Sequence, residues 1–396
     1  MQPFDTTASR REFMRTLSLG LGATLAGTSA LGGPLGWLAE SGYDPAGTAA
    51  WQTAKPLGVA LVGLGGYSAG QLAPALQQTK LCKLAGIVTG TPAKAAQWKQ
   101  QYQIPDQNSY DYKTFDRIAD NPAIDIVYIV LPVGLHAEYV ERAAQAGKHV
   151  ICEKPMANTA ADCRRMLAAM QKAGKKFSIG YRLHFEPHNQ EMMRLGQQKP
   201  YGPIKTMKAD NGYRAGGKSW RLDKQLAGGG PLMDMGVYCV QGIVYTKGEL
   251  PVSVTAKFGP KTDPVLFQEV EASISWQMQF ADGAVADCRT SYAENMNSLL
   301  RADATTGWME LQPAFGYGGL RGRTSQGPMN IDNVPQQARQ MDDFADCILR
   351  DQPTRVPGEM GLRDMQLIEA IYRAAETGQK VSTKDVVAVL DKVGSR

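Results

Sequence analysis

A glycine-rich turn near residue 63 has the residue types and spacing that hold a pyrophosphate. An apolar run ending at Val62 is followed by GLGGYS, in which Gly63 permits a tight turn and Gly65 lets the backbone approach the phosphates. The phosphates would lie on the amides at the start of the next helix. The third position of this fingerprint is Ser68, which is still small enough for close packing. We interpret the turn as a dinucleotide site; a tight turn in another kind of α/β domain is the alternative.

The end of the second predicted strand indicates which dinucleotide binds. An NAD site usually has an acidic side chain there, but this chain has no Asp or Glu from Gly58 through Pro105. Thr89 stands near the expected position and can donate a hydrogen bond to a 2′-phosphate, while Lys94 supplies a cation. We therefore predict NADP, with NAD as the alternative. The ordinary structural interpretation of these two residues is that Thr89 only caps the next helix and Lys94 is a surface charge.

Titratable side chains stand at two further points where a ligand would bind. Glu153 and Lys154 follow a predicted strand, and the carboxyl ends of parallel strands face the ligand crevice. Three glycines before Pro231 read as a loop entering a helix, so Asp234 and Tyr238 share one helix face. Without this context, a surface lysine and a core tyrosine beside a helix-start aspartate would be the ordinary interpretation.

Aromatic and charged side chains near these points suit a sugar. Arg182 and His184 follow the next predicted strand, and Trp220 and Arg221 precede the glycine loop. An aromatic face beside charged donors matches a ring with apolar C–H faces and a rim of hydroxyls. A structural role is equally compatible with His184.

These side chains need a parallel sheet to bring them together, and the pattern from residue 58 predicts one. Strands are predicted at Gly58–Gly63, Leu84–Val88, Ile126–Leu131, His149–Cys152 and Lys176–Ile179. Helices are predicted between them at Ala69–Gln78, Pro92–Tyr102, Tyr110–Ala119, Leu135–Ala146 and Thr159–Lys172. This alternation is typical of an α/β Rossmann domain with a doubly wound parallel sheet, here over 58–178.

The alternation stops after Gly180. Strands are predicted at Ile204–Ala209, Val252–Phe258, Val270–Phe280, Ala284–Tyr292 and Trp308–Leu311. Helices are predicted within Gly228–Tyr245 and at Pro335–Leu349 and Gly361–Ala375. Residues 179–396 therefore read as an α+β domain that combines an antiparallel sheet with helices.

The N-terminus reads as an export address. Arg10 and Arg11 precede a weakly apolar run, Thr16–Ala30, which is the layout of a twin-arginine signal. We predict a signal over 1–40, a linker or arm over 41–57, the twin-arginine machinery as a partner, and a periplasmic or otherwise exported protein. The alternatives are an ordinary basic N-terminus or a membrane anchor, and glycines and prolines weaken the anchor reading.

Composition excludes several classes of protein. The 396 residues have an ordinary globular composition, which excludes a wholly disordered or collagen-like chain. The net charge of +5 is scattered and does not indicate nucleic acid binding. Six widely spaced cysteines predict buried thiols instead of a disulfide framework. Four scattered histidines predict no metal site.

Several motifs in one order resemble the Gfo/Idh/MocA oxidoreductase family, and within it the glucose–fructose oxidoreductase branch. The stretches that carry the resemblance are GLGGYSAGQLAPAL (63–76), LHAEYVERAAQAGKHVICEKPMANTAADCRRM (135–166), IGYRLHFEPHN (179–189), WRLDKQLAGGGPLMDMGVYCVQG (220–242) and WQMQFADGA (276–284). The resemblance implies a tightly held NADP, oxidation of an aldose to its lactone, and reduction of a second sugar by the same cofactor. It also implies that the second domain, 179–396, binds substrate and has an open-faced, mostly antiparallel sheet, through which the protein assembles into dimers or tetramers.

The resemblance also implies roles for particular residues. Lys154 reaches the nicotinamide ribose and the substrate, Tyr238 is the acid/base, and Asp234 orients it or binds substrate. A tyrosine is a weak base at neutral pH, but a nearby ammonium favours its phenolate. The expected cofactor contacts are Gly63, Leu64, Gly65, Gly66, Tyr67, Thr89, Lys94, Leu131, Pro132, His136, Glu153 and Lys154. The expected substrate contacts are Arg182, His184, Trp220, Arg221, Asp234 and Tyr238.

Three functions remain open at this point. The first is an exported, NADP-dependent sugar oxidoreductase, which acts on one sugar alone or in ping-pong fashion with a second sugar. The second is an exported, NAD-dependent glycosidase, which shares the fold and the export signal. The third is a non-catalytic sugar-binding protein, against which Lys154, Asp234 and Tyr238 argue.

Overall fold

The computed structural model describes residues 55–390. The predicted export signal at 1–40, and the predicted arm at 41–57 up to residue 54, lie outside the described residues.

The first half of the described chain forms a six-stranded parallel sheet, as the alternation predicted. Its strands are β1 (Leu57–Val62), β2 (Cys82–Val88), β3 (Ser109–Tyr110), β4 (Ile126–Ile129), β5 (His149–Cys152) and β6 (Phe177–Ile179). They lie in the order β3-β2-β1-β4-β5-β6, and every neighbouring pair is parallel. The order reverses between β1 and β4, so a crevice opens there at the carboxyl ends of the strands.

Helices cover both faces of this sheet. They are α1 (Ala73–Leu76, preceded by a π-helical turn at Ser68–Leu72), α2 (Pro92–Tyr102), α3 (His136–Gln145) and α4 (Ala160–Ala173). Side chains of β1 alternate between two apolar clusters, with Ala60 and Val62 in one and Val59 and Leu61 in the other. Burial on both faces explains why the strand sequences are continuous apolar runs.

The predicted helix at Tyr110–Ala119 is wrong. Ser109–Tyr110 pairs with β2 as a short edge strand, and only Phe115–Asp120 coils, as a 3₁₀ turn. The Asp111 carboxylate accepts hydrogen bonds from the amides of Lys113 and Thr114 at 2.9 and 2.7 Å. Asp side chains that bind nearby amides in this way favour a turn over a helix.

The second half forms a nine-stranded sheet. Its strands are β7 (Ile204–Gly212), β8 (Ser253–Phe258), β9 (Ser273–Gln279), β10 (Val285–Ser291), β11 (Leu299–Ala304), β12 (Trp308–Leu311), β13 (Gly322–Thr324), β14 (Gly327–Met329) and β15 (Val381–Ser382). The order is β14-β13-β12-β11-β7-β10-β9-β8-β15. Only the pairing of β7 with β10 is parallel among these strands. Buried and exposed side chains alternate along β9 and β10, so one sheet face packs and the other is open, as predicted.

The sequence did not indicate β11, β13, β14 or β15. In β11 the buried Leu300 and Ala302 alternate with Arg301 and Asp303, which lie toward the open face and pair at 2.6 Å. Charged side chains on one face interrupt the apolar pattern by which a strand is identified.

The helices of the second half are α5 (Pro187–Gln198), α6 (Lys224–Ala227), α7 (Val237–Lys247, preceded by a π-helical turn at Leu232–Gly236), α8 (Gln336–Leu349) and α9 (Gly358–Thr377). Helix α5 was not predicted, although the sequence has residues that typically begin a helix. Glu186 accepts a hydrogen bond from the amide of Asn189 at 2.8 Å, and Pro187 opens the first turn.

Helix α8 returns to cover the first sheet. Met341 and Phe344 belong to the same apolar cluster as Leu72. The Asp342 carboxylate accepts hydrogen bonds from the amides of Lys80 and Leu81 at 2.9 and 2.8 Å. The two halves therefore share a core, while the predicted domain boundaries stay predictions.

All six cysteines are free and buried, as predicted. Burial raises the pKa of thiols such as Cys152 and Cys239, which makes them poor nucleophiles. Within residues 55–390, no helix is long and apolar enough to cross a bilayer. The same residues contain no cluster of three potential metal ligands among His, Cys, Asp and Glu.

Candidate active site

A cleft of about 800 Å³ lies where the carboxyl ends of β1, β2, β4 and β5 meet the second half. One wall consists of the turns that follow these strands. The other consists of the glycine loop before α7 and loops after β6, β7, β10 and β12. The cleft therefore occupies the edge at which open α/β sheets bind ligands.

The turn after β1 has the geometry of a phosphate cradle. Gly63 has a φ of 94°, and a Cβ there would lie 2.6 Å from the backbone oxygen of Val130. The hydroxyl of Ser68 donates to the carbonyl of Gly63 at 2.6 Å, which closes the turn. A Cβ on Gly65 or Gly66 would meet no atom within 4 Å. The space beside these two glycines is thus open to a ligand, as a bound pyrophosphate requires.

The far end of the cleft is built for a phosphate and not for a bare ribose. Thr89, Gly90, Thr91 and Lys94 line it, with Tyr112 beyond them, and none of these is acidic. The ammonium of Lys94 donates to the carbonyl of Leu64 at 3.4 Å, so it is held beside the glycine turn. Thr91, and not Thr89, directly precedes helix α2. A buried hydroxyl and a cation therefore fit a 2′-phosphate.

Lys154, Asp234 and Tyr238 meet at the other end of the cleft. The Lys154 ammonium donates to the Asp234 carboxylate at 3.1 Å and to the Asp234 backbone oxygen at 2.6 Å. It also lies 4.5 Å from the centre of the Tyr238 ring. Burial by itself lowers the pKa of Lys154, but Tyr238 and Asp234 outweigh it and raise that pKa. Lys154 is therefore protonated at neutral pH.

The Asp234 carboxylate is held from both sides. Its second oxygen accepts hydrogen bonds from Arg221 Nε at 3.0 Å and from the Tyr292 hydroxyl at 2.9 Å. Burial would raise the pKa of Asp234, but Lys154, Arg221 and the Tyr292 hydrogen bond hold it below its ordinary value. Asp234 is thus a fixed anion between two cations.

The glycine loop before α7 is fixed by protein atoms. The Glu271 carboxylate accepts hydrogen bonds from the amides of Gly230 and Leu232 at 2.9 and 3.1 Å. It also accepts one from the Tyr372 hydroxyl at 2.8 Å. This anchor sets the position of the π-helical turn that contains Asp234, and π-helical turns are common at functional sites.

The cleft brings most of the predicted site residues together. The predicted residues that line it are Gly63, Leu64, Gly65, Gly66, Tyr67, Thr89, Lys94, Leu131, Pro132, Glu153, Lys154, Arg182, Trp220, Arg221, Asp234 and Tyr238. Their roles toward cofactor and substrate stay predictions.

Two predicted contacts are not among the residues that line the cleft. His136 begins α3 as predicted, but both its ring nitrogens face backbone oxygens, those of Leu131 at 2.9 Å and Pro155 at 3.1 Å. Burial lowers the pKa of His136, although these carbonyls oppose the effect. The ring therefore connects the loops after β4 and β5 from behind the cleft, and its predicted contact with the cofactor stays a prediction.

His184 is the second of these two residues. It is buried between Tyr181 and Tyr245, with ring centres 5.8 and 5.5 Å away, and it is not among the residues that line the cleft. This position agrees with the structural alternative for His184, and its predicted contact with substrate stays a prediction.

Several residues that complete the cleft were not predicted from the sequence. They are Tyr213, Met233, Tyr292, Phe315, Gly316 and Tyr317. Phe315 stacks on Tyr238 with ring centres 6.0 Å apart, and Tyr317 lies 5.6 Å from Tyr67. Their loop follows β12 and has no motif of its own, so no local signal would have identified it. Tyr292 was predicted only as the end of a strand.

Family models match three consecutive parts of this chain. Residues 57–181 match an oxidoreductase family with an NAD-binding Rossmann fold. Residues 189–310 match a GFO/IDH/MocA C-terminal domain, and residues 330–383 match the C-terminal alpha/beta domain of an oxidoreductase family. The predicted nicotinamide cofactor and the predicted fold class are confirmed by these matches.

Individual relatives agree with the family models. A crystal structure of aldose-aldose oxidoreductase from Caulobacter crescentus, complexed with glycerol, is 44% identical with a TM-score of 0.80, covering 83% of this chain and all of that one. D-xylose 1-dehydrogenase [NADP(+)] from Haloarcula marismortui is 28% identical over 84% of this chain and 95% of its own length. D-glucoside 3-dehydrogenase from Escherichia coli is 28% identical over 83% and 98%, respectively.

Proposed function

The chain belongs to the Gfo/Idh/MocA family of oxidoreductases, and from this premise we propose that it oxidises the anomeric carbon of an aldose with a tightly held NADP. It is an NAD(P)-dependent oxidoreductase that acts on sugar CH–OH groups. The observation that carries the proposal is the meeting of Lys154, Asp234 and Tyr238 at one end of the cleft.

The arrangement of these three residues suits proton transfer at the C1 hydroxyl. The Lys154 ammonium, 4.5 Å from the Tyr238 ring, favours the phenolate form, which then accepts the hydroxyl proton. Asp234 holds Lys154 in place and keeps the local charge balanced. A bound nicotinamide would supply the acceptor for the hydride that leaves C1 as the aldose becomes its lactone. In the opposite direction, neutral Tyr238 donates its proton to a carbonyl oxygen.

Particular residues would hold the cofactor and select NADP. The open glycines Gly65 and Gly66 would receive the pyrophosphate, and Lys154 would reach the nicotinamide ribose. Thr89 and Lys94, with no acidic neighbour lining that end of the cleft, would receive the 2′-phosphate.

Finer parts of the proposal concern turnover, location and assembly. The relative at 44% identity is named an aldose-aldose oxidoreductase, which supports a ping-pong reaction with a second sugar in the manner of glucose–fructose oxidoreductase. The arginine pair at residues 10 and 11 supports export by the twin-arginine route, to the periplasm or beyond. The exposed alternate side chains of β9 and β10 support a homodimer or homotetramer built on the open sheet face.

The test adds a panel of aldoses to the protein as isolated, with no cofactor supplied. We expect reduced-nicotinamide absorbance with at least one aldose, and lactone as the product. Tyr238→Phe should retain the cofactor and lower turnover by about 10²-fold or more. Tyr201→Phe is the matched control, because that hydroxyl donates at 3.5 Å to the side-chain oxygen of Gln326 and Tyr201 does not line the cleft.

Three outcomes would contradict the proposal or the role of Tyr238 in it. Hydrolysis of chromogenic glycosides without net cofactor reduction would favour the NAD-dependent glycosidase. Sugar binding without any redox change would favour a non-catalytic protein. Unaltered turnover in Tyr238→Phe would remove that side chain from the mechanism.

A further inference from the structure

Arg182 lies in the cleft in a way that does not suit a sugar ligand. It follows β6 in a short 3₁₀ turn, and only 2% of its surface is exposed. A side chain that recognises sugar hydroxyls needs free N–H groups directed into the open part of the cleft.

The guanidinium is largely occupied by the loop after β12. It donates to the backbone oxygens of Phe315 at 2.6 Å and Gly316 at 2.8 Å, and to the side-chain oxygen of Gln336 at 2.5 Å. Its Nε–H is buried and has no acceptor at ordinary hydrogen-bond distance among the described residues. Arg182 therefore positions the loop and retains one buried donor.

The same guanidinium lies beside Tyr238. Its central carbon is 5.1 Å from the centre of the Tyr238 ring, and Lys154 Nζ is 4.5 Å from the same point. Two buried cations thus flank one phenol, while Asp234 is already paired with Lys154 and Arg221. The titratable or charged groups around Tyr238 are Tyr67, Glu153, Lys154, Arg182, Asp234 and Tyr317.

We propose that Arg182 is a positioning residue that acts through Tyr238: its fixed positive charge favours the phenolate, and its bonds to the Phe315–Gly316 backbone hold the ring that stacks on Tyr238. This inference rests on the proposed function, in which Tyr238 takes the proton. It replaces the substrate contact that the sequence predicted for Arg182.

The chemistry of arginine suits this task. A guanidinium stays charged at every physiological pH, and its planar fork binds two carbonyls at once. Lys154 has to serve cofactor and substrate as well as Tyr238, whereas Arg182 is kept in place by three acceptors. Burial lowers the pKa of Arg182, but Tyr238, Tyr67 and Tyr317 outweigh it and raise that pKa.

The experiment compares three variants in the holoenzyme. Arg182→Gln removes the charge, Arg182→Lys keeps the charge but loses the fork, and Gln336→Ala loosens the same loop without removing a charge. The readouts are the pH profile of kcat for aldose oxidation and the ultraviolet phenolate signal that Tyr238→Phe abolishes. The second readout needs no substrate.

We expect Arg182→Gln to move the acid limb of the profile, and the phenolate signal, upward by about one pH unit, which is about tenfold in rate at a fixed pH on that limb. Arg182→Lys and Gln336→Ala should raise KM but leave both readouts close to wild type. If Arg182→Gln does not fold, Arg182→Lys decides, since a displaced limb with the charge retained overturns the proposal.

Other outcomes separate this inference from the proposed function. Equal displacement in Arg182→Gln and Gln336→Ala would mean that Arg182 acts only through the loop, which overturns the charge effect. Unmoved readouts in Arg182→Gln would overturn the whole inference. If no aldose reduces the wild-type cofactor, the proposed function fails, while the phenolate signal still tests the effect of Arg182 on Tyr238.

Discussion

Two glycine-rich turns line the same cleft, and they need glycine for opposite reasons. Gly65 and Gly66 line the cleft, and a Cβ on either would meet nothing within 4 Å, so the space beside them is open where we propose the pyrophosphate. At Gly229 a Cβ would lie 2.1 Å from the Tyr372 hydroxyl, and at Gly230 it would lie 2.5 Å from the Glu271 backbone oxygen. The first turn therefore leaves room for the proposed ligand, whereas the second is packed against protein atoms.

Each turn leads into a π-helical turn, Ser68–Leu72 in the first and Leu232–Gly236 in the second. In both, an oxygen closes the turn: the Ser68 hydroxyl on Gly63 in one, the Glu271 carboxylate on Gly230 in the other. The two turns are thus similar in sequence but differ in what lies beside their glycines. Substitution of single residues can test this difference.

The largest effect is expected from Gly230→Ala. The new methyl group would meet the backbone oxygen of Glu271, which cannot move as a flexible side chain could. We expect a loss of about 3 kcal/mol in unfolding free energy, as overpacking typically costs, together with lower turnover because Asp234 is displaced. Denaturant unfolding measures the first, and Gly216→Ala, where a Cβ would meet nothing within 4 Å, is the control.

Gly65→Ala should affect binding instead of folding. Its Cβ has room in the protein, and Gly65 does not have a positive φ, so stability should stay within about 0.5 kcal/mol. The methyl group would occupy pyrophosphate space and weaken cofactor affinity by about 30-fold, or about 2 kcal/mol. Calorimetry on cofactor-stripped protein measures this, with Gly70→Ala as the control, since its Cβ also meets nothing within 4 Å. A lower melting temperature with unchanged affinity would reverse the comparison.

Glu271→Gln sharpens the role of the second turn through pH. One amide oxygen cannot replace two carboxylate oxygens that accept from Gly230, Leu232 and Tyr372, so we expect a loss of about 1–2 kcal/mol. Burial raises the pKa of Glu271. The folded protein then binds the Glu271 proton more tightly than the unfolded chain does, so ionisation lowers wild-type stability at neutral pH.

That penalty shrinks as the pH falls through the folded pKa toward the ordinary carboxyl range. The difference in unfolding free energy between wild type and Glu271→Gln should therefore grow as the pH is lowered, and level off below that range. Denaturant unfolding at a series of pH values measures it. A difference that does not vary with pH would mean that Glu271 does not titrate abnormally.

The smallest effect, a change in cofactor preference, is expected at the far end of the cleft, where Thr89 lies. Thr89→Asp would place a carboxylate where we propose the 2′-phosphate, so NADP affinity should fall by about tenfold relative to NAD. Affinities for both dinucleotides, measured on stripped protein, check this, with Thr255→Asp as the control, since Thr255 is exposed on β8 and does not line the cleft. An unchanged preference would place the 2′-phosphate elsewhere.

Much of the site could be predicted because its signals are local. A strand followed by GLGGYS, and a strand followed by Glu153 and Lys154, predict their own position at a sheet edge. His136 and His184 could not be judged in this way, because their residue type does not reveal that carbonyls and aromatic rings surround them in the folded chain. Arg182 was placed in the cleft correctly, but its partners lie more than a hundred residues away.

The sequence by itself determined the Rossmann architecture and the class of cofactor, because these depend on apolar periodicity and on short motifs within one loop. Only the tertiary structure decided which glycines border the open cleft and which meet Glu271 and Tyr372, and that the Arg182 guanidinium is bonded to the loop of Phe315 and Gly316. Those properties depend on what packs against a residue from distant parts of the chain, and no local pattern records that.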